Sequence, residues 1–260
     1  MPIECEFSET SFAFAYTREA LDLWGPAGAV PSFPSTYAEG ALGYDVQLTQ
    51  TQPLRFYFAQ FKLSEQIHGF NGKLRDDLGL PYFQFKLRKK PSMQHRLLVS
   101  LESISPFNAV EYVAPRFTSG IELQRLAASK SVVAASIRVR PSEIAVHVPN
   151  AYDGATHYVG DNGKETWAAS EPRRIETPNI GDLRFADGPA SSPNREWADD
   201  VLGQLEGLLD EVDEQRAESA RQRRRPPGGV SPFLEVASFC RAYLGGELIP
   251  ITGSEPEQDA

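Results

Sequence analysis

The sequence predicts an α/β (α+β) protein in which a sheet is flanked by helices, with an added β-hairpin and C-terminal helices. Three observations carry this. Apolar residues between 7 and 24 recur at helical spacing, whereas Tyr44 to Thr49 alternates at strand spacing. Leu54 to Leu63 is apolar on both faces, as a strand covered on both sides reads. The elements also interleave in the order helix, loop, hairpin, strand, helix, strand, helix.

The first helix spans 7–24. Ser8 or Thr10 caps it, and Phe12, Tyr16 and Ala20 form its apolar stripe. Residues 25–37, rich in Gly, Pro and Ser, read as a loop. In Tyr44 to Thr49, Tyr44, Val46 and Leu48 share one face, and Asp45, Gln47 and Thr49 the other. Gln52-Pro53 then breaks the pattern before the second strand. Residues 64–80, with Gly69, Gly72 and Gly79, read as an exposed connection. Tyr82 to Leu87 is a further strand, repeating the Gln-Phe-Lys-Leu of 60–63. A helix begins near Ser92, with Met93, Leu97, Leu101 and Ile104 at helical spacing. Ala109 to Phe117 is a strand closed by Pro115, and a helix runs from Ile121 to Ala128.

Beyond Ser131 the pattern returns to strands. Val132 to Arg140 alternates in part. His157 to Val159 and Thr166 to Ala168 form a hairpin around Asp161-Asn162-Gly163, because Asn-Gly favours tight hairpin turns. His157 and Tyr158 are read as structural residues of that hairpin, with contact to a substrate as the alternative. Residues 177–195 read as a linker that divides a core over 1–176 from a C-terminal helical extension over 196–252. Glu196 to Ala220 is amphipathic, and the basic run Arg221 to Arg225 either complements its C-terminus, the favoured reading, or binds nucleic acid. Phe233 to Leu244 is a short apolar helix, and 253–260 is expected to be a disordered tail.

With 260 residues there is room for one substantial core and an appendage. No apolar run is long enough to span a bilayer and no signal-peptide pattern opens the chain, so a cytoplasmic location is expected. Cys5 and Cys240, the only cysteines, are too few for a disulfide framework or a thiolate metal site. The net charge of −9 weighs against a polyanionic partner. That charge is uneven, however: Lys86, Arg88, Lys89, Lys90 and Arg96 cluster, while acids gather in the last third.

Folding the two early strands about Gln52-Pro53 sets Asp45 opposite Gln60, and a register shifted by two sets it opposite Lys62. In either case an acid, an amide and an amine share one face, with opposed Cβ atoms about 5 Å apart. Burying such groups is costly unless they satisfy one another or hold a ligand.

Asp45, fourteen intervening residues and Gln60-Phe61-Lys62 resemble the Asp…(Glu/Gln)-x-Lys signature of the PD-(D/E)xK nuclease superfamily. The resemblance implies a restriction-endonuclease-like core, a central mixed sheet flanked by helices. It also implies metal-dependent hydrolysis of DNA, with Asp45, Gln60 and Lys62 as catalytic residues. Mg²⁺ (or Mn²⁺) would be held by Asp45 and Gln60, aided by Glu9 early in the first helix or by Glu39. Lys86, Arg88, Gln94 and His95 are the expected nucleic-acid contacts. The short motifs between residues 7 and 176 are also similar to those of a group of small uncharacterised bacterial proteins. Whether the protein acts as a homodimer, alone in defence against foreign DNA, or with an operon-encoded partner is open. Two other readings stand beside this one: a nuclease-like interaction module that does not cleave, and a plain buried ion pair of Asp45 with Lys62.

Overall fold

The computed structural model describes residues 2–24, 54–69, 74–87, 95, 98–99, 101–102, 109–147, 157–168, 173–175, 194–212, 218, 232–240 and 247–252. The first helix, α1 (Glu9–Trp24), starts where the sequence indicates. Ser8 is its cap, its hydroxyl accepting the Ser11 amide at 3.1 Å, and Glu9 occupies the electropositive first turn. Phe12, Tyr16 and Ala20, one helical turn apart, are fully buried.

Two sheets follow. Strand β2 (Leu54–Phe61) is interior to a four-stranded mixed sheet. It runs parallel to β5 (Ala109–Pro115) and antiparallel to β10 (Glu247–Thr252), while β6 (Ser136–Val139) closes the other edge. The second sheet is antiparallel and six-stranded. Its order is β1 (Ile3–Glu4), β3 (Ser64–Ile67), β4 (Tyr82–Leu87), β7 (His157–Asp161), β8 (Thr166–Ala168), β9 (Arg173–Ile175). Between β2 and β3 the chain passes from one sheet to the other through just Lys62 and Leu63.

Each face of the mixed sheet has its own core. Tyr57, Ala59, Phe61 and Val113 face α1, where Phe12 meets Phe61 edge-on at 5.8 Å. Phe58, Val110, Tyr112 and Ala114 face the opposite way. There they join Phe85, Leu87 and Val159 of the second sheet and Val201, Leu205 and Val236 of the C-terminal helices α5 (Arg195–Val212) and α6 (Pro232–Phe239). The double-sided apolarity of β2 is thus real.

Several expectations need correction. At Tyr57, Phe58 and Ala59 both edges of β2 are taken, by β10 on one side and β5 on the other, where the hairpin expectation puts 44–49; those residues lie outside the described ones. The strand Tyr82–Leu87 belongs to the second sheet and not beside β2. Residues 64–80, read as a connection, contain β3 and the short helix α2 (Arg75–Leu78). Val132 to Arg140 yields only the four residues of β6, followed by α4 (Pro141–His147). The extension over 196–252, read as helical, contributes β10; Pro250 is tolerated because that strand lies at a sheet edge.

Other elements stand as read. Helix α3 (Gly120–Ala128) follows β5. The β7–β8 hairpin turns at Gly163, whose φ of +87° is the left-handed conformation glycine adopts without strain. No helix of the described residues is long and apolar enough to cross a membrane.

Candidate functional site

Gln60 lies near the carboxyl end of β2 and is 3% exposed. Its Nε2 donates to the carbonyl of Phe61 at 3.2 Å, and Tyr112 is its neighbour across the parallel pair. Lys62, half-buried, follows the strand and extends the ladder, its amide donating to the carbonyl of Val113 at 2.9 Å. The Gln60-Phe61-Lys62 segment therefore sits where β2 and β5 both end. In sheets with parallel strands, ligands gather at such carboxyl ends.

Not all the expected residues join it. Strand alternation turns Gln60 away from α1, whereas Glu9 is exposed at the start of α1 on the opposite face. Those two are not brought together. Asp45, Glu39, Arg88 and Gln94 lie outside the described residues. Lys86 is 52% exposed on the outer face of the six-stranded sheet, away from the core that Gln60 faces. There its Nζ is 3.4 Å from Glu65 and 5.8 Å from the centre of the Tyr158 ring. His95, expected at a nucleic-acid surface, is instead a core residue, 5% exposed. Its Nδ1 is 3.1 Å from the Tyr112 hydroxyl, and the two rings stack at 5.9 Å. Burial, and next to it His157, holds its imidazole down to about 4, so it is neutral at pH 7.

The structure also shows polar clusters that the sequence reading missed. On the α1 face, Arg138 of β6 grips Glu111 of β5 through Nε at 2.7 Å and Nη2 at 3.0 Å. Tyr57 of β2 donates its hydroxyl to the same carboxylate at 2.8 Å, and the Tyr16 hydroxyl of α1 is 3.0 Å from that of Tyr57. Burial pushes both phenols up in pKa. Burial works against the Arg138 guanidinium too, yet Glu111, Tyr16 and Tyr57 together outweigh it and keep it charged. A single acid inside Ala-Val-Glu-Tyr-Val and a single arginine inside Ser-Ile-Arg-Val were the available signal, since a lone charge in a covered strand needs a partner.

A second such cluster ties the two sheets together beyond the end of β5. Arg116 binds Asp161 of β7 through Nε at 2.6 Å and Nη2 at 3.4 Å. The same carboxylate accepts the Gly163 amide at 2.7 Å and the Thr166 hydroxyl.

Among the described residues, no three His, Cys, Asp or Glu side chains are grouped as a metal site requires. Gln60 alone supplies one neutral oxygen donor, so the described residues do not make up the donor set of a hard cation. What the fold defines is a mixed α/β protein. Comparison of the chain with protein-family models, with curated proteins and with solved structures finds no match.

Proposed function

We propose that the chain is a divalent-metal-dependent nuclease acting on DNA, on a restriction-endonuclease-like core, with Gln60 and Lys62 in its active site. The observation that supports this reading is the position of Gln60-Phe61-Lys62 at the carboxyl end of a central strand, parallel to β5, in a mixed sheet backed by α1. Lys62, half-buried just past the strand, would offset charge growing on a scissile phosphate. Asp45 and Glu39 would have to complete a site for Mg²⁺ or Mn²⁺, because Glu9 lies across the sheet. A cytoplasmic setting goes with this reading.

The test is nicking of supercoiled plasmid with and without Mg²⁺ or Mn²⁺. The expected result is metal-dependent nicking, lost in Asp45→Ala and in Lys62→Ala while both variants keep the wild-type circular dichroism and melting behaviour. Nicking that is absent, or equal in wild type and variants, rejects the reading.

A second reading is favoured by the near-complete burial of Gln60, the neutral amide in place of a carboxylate, and the net charge of −9. In it the fold is an interaction module that does not cleave. Metal-independent duplex binding that weakens steeply with salt, without nicking, would support it.

A further inference from the structure

We infer that Tyr112 and His95 are positioning residues for Gln60, a buried strut that fixes the amide from behind. The inference rests on the nuclease reading for its purpose, although its geometry stands independently.

Gln60 and Tyr112 are partners across the parallel pair β2–β5, so their side chains leave the sheet on the same face, with strands about 4.8 Å apart. Both are almost fully enclosed, at 3% and 1% exposure. An amide and a phenol so placed have little water around them, and the phenol limits the conformations open to the amide. Tyr112 is itself held on two sides. Its hydroxyl is 3.1 Å from His95 Nδ1, its ring stacks on the imidazole, and Phe85 of β4 lies 6.1 Å away, ring to ring.

His95 belongs to a helical segment between β4 and β5. Polar side chains therefore run through the interior from Gln60 beside Tyr112 to His95. A wholly apolar interior would serve stability as well, so the polar line is explained by orientation: the Gln60 amide is held in one rotamer at the end of β2.

The experiment compares wild type with Tyr112→Phe, His95→Ala and His95→Asn, each as the full chain. Two readouts are taken: the side-chain amide signals of Gln60 by ¹H–¹⁵N NMR, assigned with Gln60→Asn, and metal-dependent plasmid nicking. In Tyr112→Phe, which keeps the ring, the Gln60 amide pair should shift and broaden. The kcat for nicking should drop roughly tenfold to a hundredfold with KM for DNA unchanged, as a misplaced group costs. His95→Asn, which keeps a hydrogen-bonding group near Nδ1, should restore much of what His95→Ala loses.

If wild type does not nick, the nuclease reading falls and the amide signals alone decide the positioning. Gln60 signals unchanged in both Tyr112→Phe and His95→Ala overturn the inference whether or not the protein cleaves. Should His95→Ala fail to fold, Tyr112→Phe decides by itself.

Discussion

Glu111 and Arg138, on neighbouring strands β5 and β6, form a two-point ion pair in which each side chain is 3% exposed. Tyr57 completes the carboxylate's coordination and Tyr16 carries the chain of hydroxyls into α1. Two strands of the mixed sheet, its central strand and its covering helix thus share one polar junction inside an apolar core. No route for substrate is needed to explain it, since every group has a partner within it.

Breaking that junction from one side leaves a buried charge without compensation. Arg138→Met should destabilise the protein by roughly 3–5 kcal/mol in urea unfolding. Neutralising both partners, as Glu111→Gln with Arg138→Met, should recover most of the loss, because the amide still accepts from Tyr57. A single variant as stable as wild type would show that the pair contributes nothing.

The neutral His95 imidazole gives stability a pH dependence of known sign. Its folded-state value, about 4, lies below the ordinary 6.5. Folding therefore favours the uncharged form, and the contribution is complete above pH 6.5. It is lost as pH falls from 6.5 toward 4, by on the order of 3 kcal/mol in all. The urea midpoint of wild type should drop further between neutral and acidic pH than that of His95→Asn. Parallel drops in the two proteins would place the acid sensitivity elsewhere.

Gly160 of β7 lies beneath Leu74 and Leu78. A Cβ there would come within 2.5 Å of one leucine Cδ1 and 2.9 Å of the other. Those atoms are the ends of flexible side chains, so the strain is partly relieved by rotation. Gly160→Ala is expected to cost about 1–3 kcal/mol, the usual range for overpacking, read as a lowered melting temperature. A neutral or stabilising result would mean that the small cluster around Leu74, Leu78 and Tyr82 is loosely packed.

Asp161, 1% exposed, collects Arg116, Gly163 and Thr166 at the junction of the two sheets. Asp161→Ala removes all of these acceptors, while Arg116, partly exposed, can turn to water. A loss of roughly 2–4 kcal/mol is expected, with earlier hydrogen exchange at the β7–β8 turn than elsewhere. Exchange that speeds up evenly over the whole chain would indicate a general effect and not a local clasp.

Local pattern made much of the fold legible. Ser8, Phe12, Tyr16 and Ala20 announce α1 because capping chemistry and a turn of 3.6 residues act within the helix itself. Asn162-Gly163 announces the β7–β8 hairpin because the turn needs a residue free to take a positive φ. The strands β3, β9 and β10 were not legible. Each is short, polar or interrupted by proline, and becomes a strand only through pairing with a neighbour distant in sequence. The strand partners of β2 are the clearest case: a tight reversal at Gln52-Pro53 is the local expectation, and a segment almost two hundred residues later takes that edge. For the candidate site, the sequence singled out Gln60 and Lys62, and the fold sets them at the end of a central strand. It also turns Gln60 away from the face that α1 covers, and buries His95.

By itself, then, the sequence determined the helices α1, α3, α5 and α6, which strand is covered on both faces, and where the turn-forming residues lie, since these follow from periodicity and backbone freedom over a few neighbouring residues. Only the tertiary structure decided that β10 and β5 flank β2, that Glu111 meets Arg138, and that Tyr112 stands between Gln60 and His95. Those outcomes depend on burial and on hydrogen bonds between segments far apart in the chain, where the cost of leaving a polar group unpaired selects the partner.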